Sequence, residues 1–331
     1  MDYLEELTTR QADIILANSK FTSEVFRAHF PSIRSTPHVV YPGINIAAYE
    51  PPPLDAKDPD IVQVTSDRPT FLSLNRYEKK KNSALAIHAF AHFRKKVLEN
   101  QKSKIDLKTL RLVVAGGYDP RLEDNMMTLV SLIDVAKSHA LSYDIVTPKN
   151  STVAIPPFNT TKSSPSIIFL LNFTTSQRSA LLSSPSTLAL LYTPSNEHFG
   201  IGPIEAMICG VPVLACNNGG PTESVIDQPA EDKTGWLREP DPIIWSRALE
   251  EIISLPPEGR KNLSERAKRR AKDYFGMDAM ANGLETALVE AVEMGKVDWT
   301  YGFGLLGLWT FLLLSVVVGL ISVFIAWTSL I

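Results

Sequence analysis

Two carboxylates, Glu197 and Glu205, stand eight positions apart on either side of the run His198-Phe-Gly-Ile-Gly-Pro-Ile204. Gly202-Pro203 predicts a helix start, because proline at the first helical position wastes no hydrogen bond: its missing amide would have been an orphan donor anyway. The helix runs through Ile204, Ala206, Met207 and Ile208. Gly210 supplies the permissive backbone at its end, and Val211-Pro-Val-Leu-Ala215 resumes as a buried strand. Glu197 is thereby expected on the loop before the helix and Glu205 in its first turn. The unpaired amides of Phe199, Gly200 and Ile201, with the positive end of the helix dipole, suit a pyrophosphate or a cluster of sugar hydroxyls. A single Glu at a helix start would ordinarily do no more than complement that dipole.

A cationic group lies upstream. Phe71-Leu-Ser-Leu74 reads as a short apolar strand, and Asn75-Arg-Tyr-Glu-Lys-Lys-Lys-Asn82 as a charged loop after it. An amphipathic helix follows, with Ala86, Ala89, Phe90, Phe93 and Val97 on one face. Arg76 offers a planar fork for phosphate oxygens, and a lysine five positions on adds a point charge across the turn. Such a pair could neutralise charge building on a departing diphosphate; a generic basic loop would merely be solvated.

The run from Glu197 to Met207 resembles the E-x7-E signature of family 4 glycosyltransferases of the GT-B class. Pro212 after Gly210, and Gly219-Gly-Pro-Thr-Glu223, also fall where that family places them. The resemblance maps the donor-diphosphate ligands onto Arg76 and Lys81. Asn75 and Asn82 stand where many members carry Gly, which leaves Lys79 and Lys80 as alternatives to Lys81. It further implies that Glu197 holds the sugar and Glu205 the ribose, that Phe199, Gly200 and Ile201 help fix the donor, and that Gly219 and Gly220 permit close backbone approach. Neither a cofactor nor a metal is implied, since GT-B enzymes neutralise the diphosphate with helix amides and basic side chains.

Within that class, these motifs with an apolar C-terminal stretch are most similar to the membrane-bound mannosyltransferases of dolichol-linked oligosaccharide assembly. That similarity implies GDP-mannose as donor, a dolichyl-diphosphate-linked acceptor, α-1,3 and α-1,6 linkages, and retention of configuration. It also implies the endoplasmic reticulum membrane, with the catalytic part facing the cytosol, and other glycosyltransferases of the pathway as partners. Another membrane-bound sugar transferase of the family would share these donor-site residues. So would a non-catalytic donor-binding fragment or subunit.

The rest of the chain must position these groups. From Phe71 to about Tyr274, apolar runs alternate with helical stretches, which predicts a mostly parallel sheet covered on both faces. Candidate strands are 71–74, 112–115, 167–171, 188–192 and 213–215, and ligands of such sheets collect beyond the strands' carboxyl ends, where Gly116-Gly117 also belongs. Residues 138–165 show no period and read as a surface insertion. Asp13 to Ser19 reads as a strand running into a helix cap, Lys20 to Phe30 as a helix, and Val39 to Asn45 as a strand and turn before Pro51-Pro-Pro53. On the GT-B plan these are the last pieces of an N-terminal domain. The expected organisation is therefore a remnant of that domain and hinge at 1–50, a linker at 51–69, and a donor-binding Rossmann-like domain at 70–275. A crossover helix at 276–296 and a transmembrane anchor at 297–331 complete it.

Trp299 to Ile331 carries no charged residue, and about twenty apolar residues suffice to cross a hydrocarbon core. Trp299, Tyr301 and Trp327 are expected interfacial anchors. No signal-peptide pattern opens the chain. Two cysteines, Cys209 and Cys216, make no disulfide framework, and the sequons at Asn150, Asn159, Asn172 and Asn262 read as chance occurrences. A net charge of −3 from 33 basic and 36 acidic residues gives no field pointing to nucleic acid. His88 and His92, one helical turn apart, lack a third metal ligand in the sequence and read as exposed helix residues.

Overall fold

The computed structural model describes residues 2–49, 57–99, 106–107, 109–155, 157–158, 160, 164–295 and 299–328. Pro51-Pro-Pro53 and the Asn159 sequon lie outside them. The chain forms two compact units, residues 1–285 and 286–331.

The first unit opens with α1 (Asp2–Thr9), β1 (Leu16–Ala17), α2 (Lys20–His29) and β2 (His38–Val39). β1 and β2 pair in parallel, Leu16 opposite His38 and Ala17 opposite Val39, with α2 between them in sequence. Ser19 caps α2 by accepting from the Thr22 amide, the role its position before an amphipathic run predicts. The stretch read as a linker contains α3 (Pro59–Val64), capped by Asp58, with Ile61 and Val64 buried in the core. Two apolar anchors in six residues are too few to show a period.

The main sheet is built from β3 (Thr70–Leu74), α4 (Ala84–Glu99), β4 (Arg111–Gly116), α5 (Glu123–Ser138), β5 (Tyr143–Val146), β6 (Ile167–Leu171) and α6 (Thr175–Ser183). It continues through β7 (Thr187–Tyr192), α7 (Ile201–Ile208), β8 (Val213–Cys216), α8 (Pro221–Ser224), β9 (Gly235–Arg238), α9 (Pro242–Ile253) and α10 (Pro257–Phe275). All strands run parallel in the order β5-β6-β4-β3-β7-β8-β9. The order reverses at β3, so the connections after β3 and β7 leave the sheet in opposite directions and open a crevice at its carboxyl edge.

Successive side chains point to opposite faces of a strand, and both faces are buried. Phe71, Leu112, Val114, Phe169 and Leu191 join one cluster with Phe90 and Phe93 of α4 and Trp245 of α9. Leu72, Val113, Leu170, Leu190 and Val213 join the other with Ala180 of α6, Ile204 of α7 and Ala271 of α10. On α4 the expected face is confirmed: Ala86, Ala89, Phe90 and Phe93 are fully buried and Val97 is packed against them. Burying each phenyl ring stabilises the fold by about 1.5–3 kcal/mol. The 138–165 stretch departs from its expectation, because β5 extends the sheet edge in register with β6 and Val153, Ile155 and Phe158 pack on the core. Of its four strand residues, Tyr143 alone is buried, too weak a pattern to see in sequence. Arg111, at the start of β4, is buried and donates to the Thr70 hydroxyl at 2.8 Å and the Val64 carbonyl at 2.7 Å, joining α3 to the sheet.

After α10 come α11 (Met277–Glu293) and α12 (Trp299–Thr328). Side chains of α12 are described within residues 309–322. Those of Trp299, Tyr301 and Trp327 lie outside that range, as do residues 296–298 and 329–331. Among the described residues no helix is long and apolar enough to cross a membrane.

Candidate active site

The loops after β3 and β4 are pinned together before they reach the crevice. The Asn75 amide donates to the Ala115 carbonyl at 3.0 Å and the Tyr77 amide to the Gly117 carbonyl at 2.9 Å, while the buried Tyr77 hydroxyl donates to the Val114 carbonyl at 2.8 Å. A Cβ at Gly116 would stand 1.8 Å from the Asn75 carbonyl oxygen, so glycine is what lets the first loop pass. Residues 79–81 form a 3-10 turn that ends at Asn82 in a left-handed conformation, φ 50°. Asparagine tolerates that backbone better than most residues.

The Thr193 hydroxyl, just beyond β7, donates to the Lys81 carbonyl at 2.7 Å and so ties the cationic loop to the carboxylate loop. Lys81 Nζ makes an ion pair with Glu197 Oε2, both side chains being largely shielded from solvent. The neighbouring lysines differ: Lys80 turns to Glu78 at 3.4 Å and is 70% exposed, and Lys79 does not line the cavity. Arg76 does line it, 63% exposed and paired with Glu78 at 2.7 Å.

α7 begins at Ile201, after Gly200 at φ 84°. Pro203 is therefore the third helical residue rather than the first, and Glu205 lies in the second turn rather than the first. The left-handed Gly200 ends the loop two residues before the expected Gly-Pro start, and Pro203 still falls among the positions whose amides lack an intrahelical partner. Among the described residues, the Phe199, Gly200 and Ile201 amides donate no hydrogen bond.

Glu205 is held from behind. Its Oε1 accepts from Arg178 Nη1 at 2.9 Å and from the Tyr49 hydroxyl, and the Arg178 guanidinium lies 5.0 Å from the Tyr49 ring centroid. Burial first, then the Glu205 hydrogen bond and charge, push the Tyr49 hydroxyl well above its ordinary pKa, so it acts as a neutral donor. Arg178 Nε is buried with no acceptor among the described residues. Neither partner was singled out in the sequence. Arg178 sits in α6 with no motif around it, and Tyr49 in a 3-10 segment with none.

These groups share one cavity of ≈ 610 Å³, whose walls include Arg76, Lys81, Arg178, Glu197, Glu205, residues 198–202, Gly116 and Gly117. Gly219 and Gly220, expected to approach a ligand, do not line it. A Cβ at Gly219 would stand 2.6 Å from the Glu197 carbonyl oxygen, and one at Gly220 2.3 Å from both the Phe199 Cα and its carbonyl oxygen. The backbone that needs their bareness is that of the carboxylate loop, whose Glu197 carbonyl accepts from the Gly220 amide at 2.7 Å.

His88 and His92 do gain a neighbour, and they are half-buried rather than exposed. His88 Nδ1 lies 2.8 Å from His139 Nε2, and the His92 ring packs 6.0 Å from His139. Among the described residues, however, no group of three or more His, Cys, Asp or Glu side chains is arranged to hold a metal. Cys209 and Cys216 are free thiols.

The family described as "Glycosyl transferases group 1" matches residues 161–270, the segment that carries β6, β7, the carboxylate loop, α7 and α8. Curated relatives named α-1,3/1,6-mannosyltransferase include those of Rhizomucor pusillus, 37% identical over 88% of this chain and 60% of the relative, and Saccharomyces cerevisiae, 36% identical over 90% and 56%. The Mus musculus relative is 35% identical over 86% and 60%. The chain thus spans little more than half the length of these relatives. Among solved structures, sucrose-phosphate synthase from Thermosynechococcus elongatus superposes with a TM-score of 0.65 at 19% identity over 89% of this chain and 62% of that one. Anabaena HepE in complex with UDP-glucose does so with 0.60 at 17% identity over 86% and 66%; both show the fold. Residues 161–270 thus match a group 1 glycosyltransferase domain, and the chain is similar over most of its own length to these mannosyltransferases.

Proposed function

We propose that this chain is the donor-binding part of a retaining mannosyltransferase that moves mannose from GDP-mannose to a dolichyl-diphosphate-linked oligosaccharide, making α-1,3 and α-1,6 linkages in N-glycan precursor synthesis. The observation that carries the reading is the convergence of three cations, Arg76, Lys81 and Arg178, and two carboxylates, Glu197 and Glu205, on one cavity at the point where the strand order reverses. The names of its relatives supply the sugar. In the reaction the bond between the anomeric carbon and the diphosphate oxygen breaks, and its electron pair leaves on the diphosphate. An acceptor hydroxyl bonds to the carbon and gives up its proton to the departing diphosphate oxygen.

Lys81 and Arg76 stabilise the charge that builds on the leaving diphosphate, the fixed electrostatics that dominate such transfers. Glu197 holds hydroxyls of the mannosyl group as it becomes oxocarbenium-like. Glu205 takes the ribose, with Arg178 and Tyr49 occupying its Oε1 and leaving Oε2 to receive a hydroxyl. The Phe199 to Ile201 amides at the start of α7 meet the sugar or the phosphates. The uncharged sequence from Trp299 to Ile331, rather than any described helix, is what supports an anchor in the endoplasmic reticulum membrane with the catalytic part on the cytosolic side, beside other transferases of the pathway.

Calorimetric titration with GDP-mannose, GDP and a panel of UDP-sugars, followed by transfer to a dolichyl-diphosphate-linked acceptor, tests this reading. GDP-mannose is expected to bind, GDP to compete, and mannose to be transferred. Preference for a UDP-sugar would point to another sugar transferase of the family, and binding without transfer to a donor-binding subunit. No nucleotide binding at all would refute the proposal. Arg178→Ala is expected to raise the donor KM about tenfold or more while changing kcat less, because a charged hydrogen bond orienting Glu205 is lost. An unaltered KM would remove Arg178 from the donor site.

A further inference from the structure

Glu223, in α8, makes contacts that the donor-site assignment does not use. Its Oε2 accepts from the Lys20 amide at 2.8 Å and from the Tyr41 hydroxyl at 2.9 Å, and its Oε1 accepts from the Phe21 amide at 2.9 Å. Lys20 and Phe21 are the first two residues of α2, so the carboxylate sits on the positive end of that helix and satisfies two of its orphan amides. Ser19, the cap of the same helix, donates through its hydroxyl to the His198 carbonyl. Tyr41 stacks on Phe199 with ring centroids 5.7 Å apart and planes 24° apart. Burial and the Glu223 carboxylate push the Tyr41 hydroxyl up to about 12, which keeps it a donor.

The carboxylate loop is therefore gripped from two sides. On one, the Gly220 amide, three residues before Glu223, holds the Glu197 carbonyl. On the other, Ser19 and Tyr41 hold His198 and Phe199. Glu223 joins the two grips, because it rides on the Gly220 segment and binds the segment that carries Ser19 and Tyr41. We infer that Glu223 is a positioning residue: by capping α2 it locks residues 19–41 onto the carboxylate loop and so fixes Glu197 and the 199–201 amides in the geometry the transfer needs. The effect on catalysis rests on the transferase reading; the mechanical coupling does not.

Hydrogen exchange resolved by residue on the 331-residue chain tests the coupling. In Glu223→Ala, the Lys20 and Phe21 amides should exchange about tenfold faster or more, as expected for a lost helix cap, with protection of α4 unchanged. The decisive readout lies on the carboxylate loop: the Asn196 amide, which donates to Asn218 Oδ1 at 2.7 Å, and the Gly220 amide, which donates to the Glu197 carbonyl at 2.7 Å, should also exchange faster, and kcat for mannose transfer should fall about tenfold or more with the donor KM rising less. Glu223→Gln, of the same shape with one acceptor oxygen left, should fall between wild type and Ala, and it carries the test if the Ala variant does not fold. Acceleration confined to Lys20 and Phe21, with the Asn196 and Gly220 amides and kcat unchanged, would overturn the inference. A wild-type chain that neither binds GDP-mannose nor transfers mannose would instead refute the transferase reading, leaving the exchange result to decide the coupling alone.

Discussion

Replacing Lys81 with Met is expected to lower kcat for transfer from GDP-mannose by about a hundredfold to a thousandfold, the cost of removing one fixed group that stabilises transition-state charge. The magnitude follows from placement. Lys81 is 14% exposed and paired with Glu197, itself 24% exposed, so its charge acts through a shielded site rather than bulk water. The substitution also strands the Glu197 carboxylate without its partner, which penalises the loop that must meet the sugar. Lys79→Met and Lys80→Met are the controls, and each should change kcat by less than about threefold because an exposed charge is screened. Arg76→Ala should lie between these limits, at about tenfold, since its guanidinium lines the cavity but is 63% exposed. Steady-state kinetics on the four variants settles the order. A Lys79 or Lys80 effect larger than that of Lys81 would move the phosphate ligand and break the proposed assignment.

Gly220→Ala is expected to destabilise the protein by about 1–3 kcal/mol or more and to abolish donor binding with it. The added Cβ would stand 2.3 Å from the Phe199 Cα and carbonyl oxygen, both backbone atoms, so no side chain can swing aside. Retreat of the loop is opposed by the bond between the Gly220 amide and the Glu197 carbonyl at 2.7 Å. The melting temperature should drop by several degrees, at about 2–4 °C per kcal/mol for a unit of this size, and calorimetric titration should show no GDP-mannose binding. Gly117→Ala is the matching control for stability. There the Cβ would meet Arg76 Cγ at 3.6 Å, an ordinary contact, and the melting temperature should stay put. A Gly220→Ala protein with unchanged melting and donor affinity would show that the carboxylate loop yields more readily than its packing indicates.

The parts of this protein that were legible in the sequence are those whose physics is local. Strands such as Ile167–Leu171 are continuous apolar runs because both sheet faces are buried, and the α4 stripe follows from 3.6 residues per turn. β5 and the short α3 were not legible, since an edge strand or a six-residue helix buries too few side chains to leave a period. The start of α7 was misplaced because the left-handed backbone of Gly200 is set by Tyr192 beneath it, a Cβ there falling 2.8 Å from the tyrosine oxygen, and not by the Gly202-Pro203 pair that marks the sequence.

By itself the sequence determined which chemistry is present: a carboxylate pair at a helix start, a guanidinium and lysines after a strand, glycines between them. Residue type and spacing fix those through bonding geometry alone. Only the tertiary structure decided which groups meet. Lys81 rather than Lys79 or Lys80 reaches Glu197 because the Thr193 hydroxyl holds the Lys81 carbonyl. Glu205 acquires Arg178 and Tyr49 from elements 27 and 156 positions away, and Glu223 finds the start of α2 202 to 203 positions upstream. Such pairs arise where strand order reverses and loops from distant strands converge, and a linear pattern carries no record of which loops the folded sheet brings side by side.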